Sequence, residues 1–367
     1  PLSLIEFSLK EGITPGPPLA GACPFRILWG GVWATGPLRR TGFGAEGFVR
    51  LPIVRGAWRA VRRNVSEPVV FFNSVFTGER LPPRSWCETL TSLMPKCMEG
   101  CTVDNTRKLA VESVVKKWYS TCVMIAMEPH LLKIRSKVSL FGFVPGRSCA
   151  EVTASLKMAA QHASIWGNDR KILIASADVK QAFQNTTIAN VKRAMEVLEI
   201  PPWYQYGILA LVGEITTLMF EGLAVEDVEV DRHIRTGGNE SPALWNLVVC
   251  AMWASVIASW DLEGVGYECY NPNHLGDQTA VVNHLFYADN VFVLGSDVVT
   301  FQRQLTELTR ALRDWGFEWK ADSLEVLAVG FDSVSGASGK NSLCQRLNGL
   351  NWVVSVLLGR IFGRYHP

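Results

Sequence analysis

The alternation of apolar and polar positions divides much of this chain into strands and helices. Lys-Ile-Leu-Ile-Ala-Ser-Ala-Asp, at 171–178, is an apolar run ending on a carboxylate, and it predicts a buried strand. Leu-Phe-Tyr-Ala-Asp-Asn-Val-Phe-Val-Leu, at 285–294, reads as two short aromatic and β-branched strands joined by a two-residue link, with Asp289 at the tip. Over 299–315 the residues Phe301, Leu305, Leu308, Leu312 and Trp315 fall on one helical stripe, and Gly316 supplies the stop. Residues 150–167 predict another helix. Val111, Val114, Val115, Trp118, Cys122 and Ile125 keep an i, i+3/i+4 rhythm, which predicts a helix over 107–128 capped by Asp104-Asn105-Thr106. The apolar run 245–260 has 16 residues, too short to span a bilayer, and predicts a buried helix with no membrane partner.

Composition narrows the class. With 367 residues, 48% of them hydrophobic, the chain can bury one large core or two smaller ones. A net charge of +2 excludes a basic field over the whole molecule, so any polyanion must meet local charge. Between 107 and 147 eight Lys/Arg stand against Glu112 and Glu128, a stretch that either tracks a phosphate backbone or is a solvated face. The nine cysteines form no Cys-x-x-Cys pair, and no His cluster follows Cys97 and Cys101, so reduced thiols of a nuclear or cytoplasmic protein are expected. The N-terminus, Pro-Leu-Ser-Leu with Glu6, carries no secretion signal. The missing initiator Met and the end at Tyr365-His366-Pro367 read as a gene fragment. Residues 1–67 have little periodicity and much Gly, Pro and Arg, which fits a poorly ordered or unrelated segment, or a basic arm.

Two carboxylates then stand out. Asp178 and Asp289 each sit at a strand end, and such a group costs solvation unless a cation or donor meets it. Paired strand-end carboxylates suit a divalent-metal phosphoryl-transfer site, in which ions roughly 3.5–4 Å apart take their remaining ligands from substrate phosphates.

The residues around them resemble the reverse transcriptase domain of the non-LTR retrotransposon (LINE-like) and group II intron type. Asp178-x-x-x-Ala182-Phe183 looks like motif A. Phe286-Tyr287-Ala288-Asp289-Asn290 looks like motif C, usually Tyr-Ala-Asp-Asp. Between them Arg235-Thr236-Gly237-Gly238-Asn239-Glu240-Ser241-Pro242 is similar to motif B. Phe141-Gly142-Phe143-Val-Pro145-Gly146-Arg147-Ser148 matches a block preceding motif A, and Trp315-Gly316 through Lys320, Ser323 and Glu325 resembles motif D. Leu81-Pro82, Trp86, Leu93-Met94-Pro95-Lys96 and Thr106-Arg107-Lys108-Leu109-Ala110 resemble the fingers blocks, and residues 350–359 faintly resemble the primer-grip hairpin. Seven blocks in order over about residues 68–330 carry the resemblance, because chance would have to supply order as well as composition.

The resemblance implies an α+β fold: right-hand polymerase fingers over 68–170, a palm with an antiparallel sheet packed on helices over 171–330, then a primer-grip-like hairpin and truncated C-terminus over 331–367, the thumb essentially missing. It implies an RNA template and DNA primer as partners, deoxynucleoside triphosphates as substrates and Mg²⁺ (or Mn²⁺) as cofactor; it gives no oligomeric state. Asp178, Asp289 and the Val179 carbonyl would hold metal, with Asn290 beside them in the catalytic motif. Lys96 and Arg107 would hold the triphosphate, Arg by forked donors and Lys as a point charge. Phe183 would be the ring that clashes with a ribose 2′-hydroxyl; Gly237, Ser241, Pro242 and Lys320 complete the substrate-binding set. Four departures from the pattern (Asn290 for Asp, Thr236 for Gln, Ser323 for Lys and Gln184 for an acid) predict weakened or absent catalysis. A catalytically inactive, reverse-transcriptase-derived RNA-binding protein or pseudogene product stays open as the alternative. An RNA-directed RNA polymerase is disfavoured by Phe183 and the 141–148 block.

Overall fold

The computed structural model describes residues 66–95, 106–165, 171–212, 214–220, 223–230, 234–270, 279–321 and 323–329. The expectations for the N-terminal segment up to residue 65, for Lys96 and for the primer-grip-like stretch lie outside the described residues. In chain order the elements are α1 (Ser66–Phe76), α2 (Arg84–Cys87), β1 (Glu88–Pro95), β2 (Thr106–Val111), α3 (Val114–Arg135), α4 (Cys149–Ile165), β3 (Ile172–Asp178), α5 (Ala182–Asn185), α6 (Ile188–Val197) and α7 (Pro202–Leu209). There follow β4 (Glu214–Phe220), β5 (Leu223–Val230), α8 (Ser241–Glu263), β6 (Tyr267–Tyr270), β7 (Thr279–Val282), β8 (His284–Tyr287), β9 (Asn290–Gly295), α9 (Val298–Asp314) and β10 (Glu325–Val329).

Two compact units share these elements, one formed by Pro1–Leu132 with Thr186–Leu247, the other by Lys133–Asn185 with Val248–Pro367. Strand pairing draws β3 to β9, far along the chain, and so carries the preceding segment with it.

In the first unit a four-stranded sheet runs β2-β1-β4-β5, with β1 and β4 parallel and the other pairs antiparallel. The helix expected over 107–128 is corrected here. Residues 106–111 are strand, paired with β1 from Leu90↔Val111 to Pro95↔Thr106, and the helix begins at Val114 and runs to Arg135. Pairing with a neighbouring strand overrides the local helical rhythm. The buried stripe of α3 also differs from the expected one: Tyr119, Val123 and Met127 are fully buried, whereas Val115 and Ile125 are exposed. Lys116 lies on that buried stripe and so leaves the basic face expected over 107–147.

In the second unit the sheet is antiparallel throughout, in the order β10-β3-β9-β8. The apolar positions of α4 (Val152, Leu156, Ala159, Ala160 and Ala163) pack with Ile172, Ile174, Leu285, Leu294 and Leu327 from this sheet. α9 packs on β9. Its N-cap Asp297 accepts hydrogen bonds from the Val299 and Thr300 N–H groups, a cap worth about 1 kcal/mol. At its other end Gly316 takes φ +79°. There the Gly316 N–H donates to the Arg313 carbonyl and the Phe317 N–H to that of Leu312. Only a residue tolerant of the left-handed region closes a helix this way without strain, so the glycine stop read from sequence is a steric requirement. α8 reaches 23 residues, longer than the apolar run within it and long enough by length and composition to cross a bilayer; two thirds of its apolar window is buried. In the second unit its Trp253 stacks on Trp319, and the indole N–H of Trp260 donates to Glu307 Oε2 at 2.6 Å. The five described cysteines, Cys87, Cys122, Cys149, Cys250 and Cys269, are free.

His284, buried in β8, accepts at Nε2 from the Ser139 N–H at 2.8 Å and sets Nδ1 against Asn283 Oδ1, whose amide donates to Asp261. A second ring proton would point at the Ser139 N–H, and burial holds the imidazole pKa down at about 3. Its folded pKa lies below the unfolded value near 6.5, so the unfolded chain takes up the proton first. The stability is complete above pH 6.5 and is lost as pH falls towards 3, by about 2 kcal/mol at pH 5 for this group. Urea denaturation at pH 7 and pH 5 should show that loss, and His284→Asn should flatten it. Equal pH dependence in both chains would refute the assignment.

Candidate active site

Asp178 ends β3 directly opposite Asn290, the first residue of β9. The period-two alternation places Asp178 on the same sheet face as Ile172 and Ile174, so this face passes from a buried apolar end to a half-buried acidic one. Asp289 occupies the tight turn between β8 and β9. Its neighbour Ala288 takes φ +57°, in the left-handed region that side chains rarely adopt. The turn is tied to the neighbouring strand end by the Val179 N–H, which donates to the Asp289 carbonyl at 3.0 Å.

The register brings the ends of β3 and β9 together, so Asp289 sits one residue from the partner of Asp178. Burial first, then the Asp178 charge, push the Asp289 carboxyl above the usual carboxylate range. With both groups ionised neither can donate, and Asp178 Oδ1 is buried with no donor. The other oxygen, Oδ2, accepts from Lys320 Nζ at 2.9 Å. That ammonium is largely exposed, so the pair is worth at most about 1 kcal/mol. Its pKa is raised, chiefly by this hydrogen bond.

The segment after α9 completes the corner. The Lys320 N–H donates to the Asp178 carbonyl and the Lys180 N–H to the Glu318 carbonyl, closing a bridge between Val179 and Trp319. The Val179 carbonyl takes no part in that bridge. Ser323 Oγ accepts from the Asp178 N–H at 3.1 Å and donates to the Lys320 carbonyl. Ser323 thus fixes the backbone that carries the acid, while Lys320 brings positive charge to it. The resemblance to motif D marked these two positions in the sequence; their contact with Asp178 became visible only in the fold.

Two carboxylates, a backbone carbonyl beside them and an orphaned anionic oxygen fit a hard divalent cation, which prefers oxygen ligands. Among the described residues no cluster of three or more His, Cys, Asp or Glu side chains provides a complete shell. Phe183 lies on α5, half-buried, five residues beyond Asp178, with its ring edge-on to Phe143 at 5.9 Å.

Gly237, Ser241, Pro242 and Arg107 belong to the other unit. Arg107 pairs in register with Met94 on β1. Gly237, at φ +122°, passes so close to β2 that a Cβ there would stand 2.5 Å from the Ala110 carbonyl oxygen; the Ala110 N–H donates to the Thr236 carbonyl. Below this loop lies a buried ionic quartet. Lys116 Nζ reaches Glu112 Oε1 at 2.7 Å and Glu240 Oε1 at 3.2 Å, and Arg235 Nη1 reaches Glu112 Oε1 at 3.0 Å and the Trp86 carbonyl at 3.1 Å. Burial raises the Glu112 pKa, but the Lys116 and Arg235 charges outweigh it and hold the carboxyl below the usual range. The motif B block marked Arg235 and Glu240 by position; nothing in the sequence joined them to Glu112 and Lys116.

A family profile described as reverse transcriptase (RNA-dependent DNA polymerase) matches residues 95–329. A search of curated proteins returned no match. Among solved structures the chain is similar to apo telomerase from Candida tropicalis truncated from its C-terminal domain, at 10% identity and a TM-score of 0.49, over 69% of this chain and 52% of that one. It is also similar to telomerase from Candida albicans in complex with a fragment of telomeric RNA, at 9% identity and a TM-score of 0.46, over 70% and 44%. The chain therefore spans about half the length of these solved proteins.

Proposed function

The chain belongs to the reverse transcriptase (RNA-dependent DNA polymerase) family, and on that premise we propose that it carries the fingers and palm of a retrotransposon-type enzyme that copies an RNA template into DNA. The observation carrying this reading is the register that sets Asp178 opposite Asn290, next to the turn that carries Asp289, so that the Asp178 charge acts on the Asp289 carboxyl. Asp178, Asp289 and the Val179 carbonyl would hold Mg²⁺ or Mn²⁺, which when bound supplies activation of the primer 3′-hydroxyl and neutralisation of the leaving pyrophosphate. Lys320 holds its proton next to the acids and supplies positive charge on the same side. Ser323 and the Val179 N–H orient the two carboxylate-bearing segments. Phe183 excludes a ribose 2′-hydroxyl, and an RNA–DNA hybrid with deoxynucleoside triphosphates completes the partner set.

One observation favours the inactive RNA-binding reading. Asn290 opposite Asp178 removes one acid of the usual motif, and Lys320 already neutralises part of the remaining charge. Primer extension on an RNA template with Mg²⁺ or Mn²⁺, offering deoxy- and ribonucleotides separately, decides between them. Extension with deoxynucleotides is expected, and Phe183→Ala should admit ribonucleotides. RNA binding without extension in either metal would leave the inactive reading standing. Equal use of both sugars by the parent chain would remove the role given to Phe183.

A further inference from the structure

Phe143 is held in a conformation that bulky side chains rarely adopt. Its φ is +58°, and the residue is 44% exposed, yet the backbone leading into it is held by a neighbouring hairpin. The Phe141 N–H donates to the Phe286 carbonyl at 2.8 Å, and the Phe286 N–H donates to the Ser139 carbonyl at 3.0 Å. These bonds flank a parallel bridge between Leu140 and Phe286. Gly142 is pressed on the turn that carries Asp289: a Cβ there would lie 2.1 Å from the Ala288 nitrogen. The segment 139–142 is therefore tied to the acid-bearing hairpin, and the strained residue that follows it presents a ring to Phe183 at an interplanar angle of 83°. Backbone strain of this kind persists where the surroundings over-determine it, and such places cluster at functional sites.

We infer that Phe143 is a positioning residue for Phe183, the two rings forming an aromatic corner that sets which sugar the site accepts. This inference rests on the polymerase reading above and adds a determinant to it. An edge-to-face contact restrains the rotamer of the ring it touches. A Phe183 ring free to turn would open the space it denies to a 2′-hydroxyl. Because Gly142, directly before Phe143, is pressed on that hairpin, the corner is registered to the same turn that holds Asp289.

The test uses the full chain and the ratio of kcat/KM for a deoxy- over a ribonucleotide in RNA-templated primer extension. Phe143→Gly removes the ring and suits the left-handed φ, so folding is not compromised. The ratio should fall about three- to tenfold, the scale of one edge-to-face pair, mainly through a lower KM for the ribonucleotide. Phe143→Tyr, which keeps the ring edge, should restore it. Phe143→Gly added to Phe183→Ala should have little further effect. A 4-fluorophenylalanine placed at position 183 gives an independent readout, since its ¹⁹F resonance should shift on Phe143→Gly. An unmoved resonance overturns the contact whatever the extension assay reads. A ratio unchanged by Phe143→Gly but relaxed by Phe183→Ala overturns this inference alone. A parent chain that extends no primer overturns the polymerase reading and this inference with it, whereas a ratio insensitive to Phe183→Ala overturns the sugar role alone.

Discussion

Lys116→Met is expected to destabilise the chain by about 3–5 kcal/mol, the cost of leaving a buried charge without its partner. The aliphatic stem of the lysine survives in methionine, so packing changes little and the loss reports the ammonium. Without it Glu240 loses its ion-pair partner, and Glu112 keeps only Arg235. All four side chains are almost wholly buried, so water cannot repair the deficit cheaply. Glu240→Gln in the Lys116→Met background should recover part of the loss, with a coupling of about 0.5–3 kcal/mol in the double-mutant cycle. Urea midpoints followed by circular dichroism measure the parent, the two single variants and the double variant. A loss below about 0.5 kcal/mol for Lys116→Met, the range of surface substitutions, would show that the quartet does not act as one buried unit. The Thr236–Gly237 loop stands on this quartet through Arg235, so a large loss would also tie the stability of the fold to the placement of the motif B loop.

Asp289→Asn is expected to lower RNA-templated primer extension by roughly 10³-fold or more. Charge stabilisation by a bound metal is worth several kcal/mol, and each ~1.4 kcal/mol is a factor of ten. Asn290→Asp should move the other way, lowering the Mg²⁺ concentration needed for half-maximal rate, because a second charged oxygen strengthens a hard-cation site. Repulsion from Asp178 and Asp289 opposes this in the metal-free chain, where burial and then the Asp178 charge already push the Asp289 carboxyl up. At millimolar Mg²⁺ the ion's double charge exceeds that of either neighbour, so the gain should win. Lys320→Ala tests the same balance from the other side: removing the ammonium frees Asp178 Oδ2 and should tighten Mn²⁺ binding measured by calorimetry. Should Asp289→Asn leave extension untouched, the chemistry is not at this turn, and the metal-holding role given to Asp289 falls.

The strands 171–178 and 285–294 were legible from period and composition because each pairs within a buried sheet, where pattern and pairing agree. The α9 stripe and its Gly316 stop were legible for the same reason: one amphipathic face and one steric requirement decide both. Asp178 and Asp289 were legible as acids without local partners at strand ends. Residues 106–111 were not, because helical rhythm and strand pairing compete there and the pairing with β1, a tertiary event, wins. Lys116 was invisible as a core residue, since a lysine is buried only when distant acids come to meet it, and Glu240 lies 124 residues away in sequence. The part of Lys320 and Ser323 at Asp178, and of Phe143 at Phe183, depends on hydrogen bonds and ring contacts between segments that local sequence does not connect. Sequence alone determined those elements in which local pattern and pairing agree, and which strand-end acids lack a local partner. The tertiary structure decided which partners those side chains find, because contact between distant segments depends on strand register and backbone path.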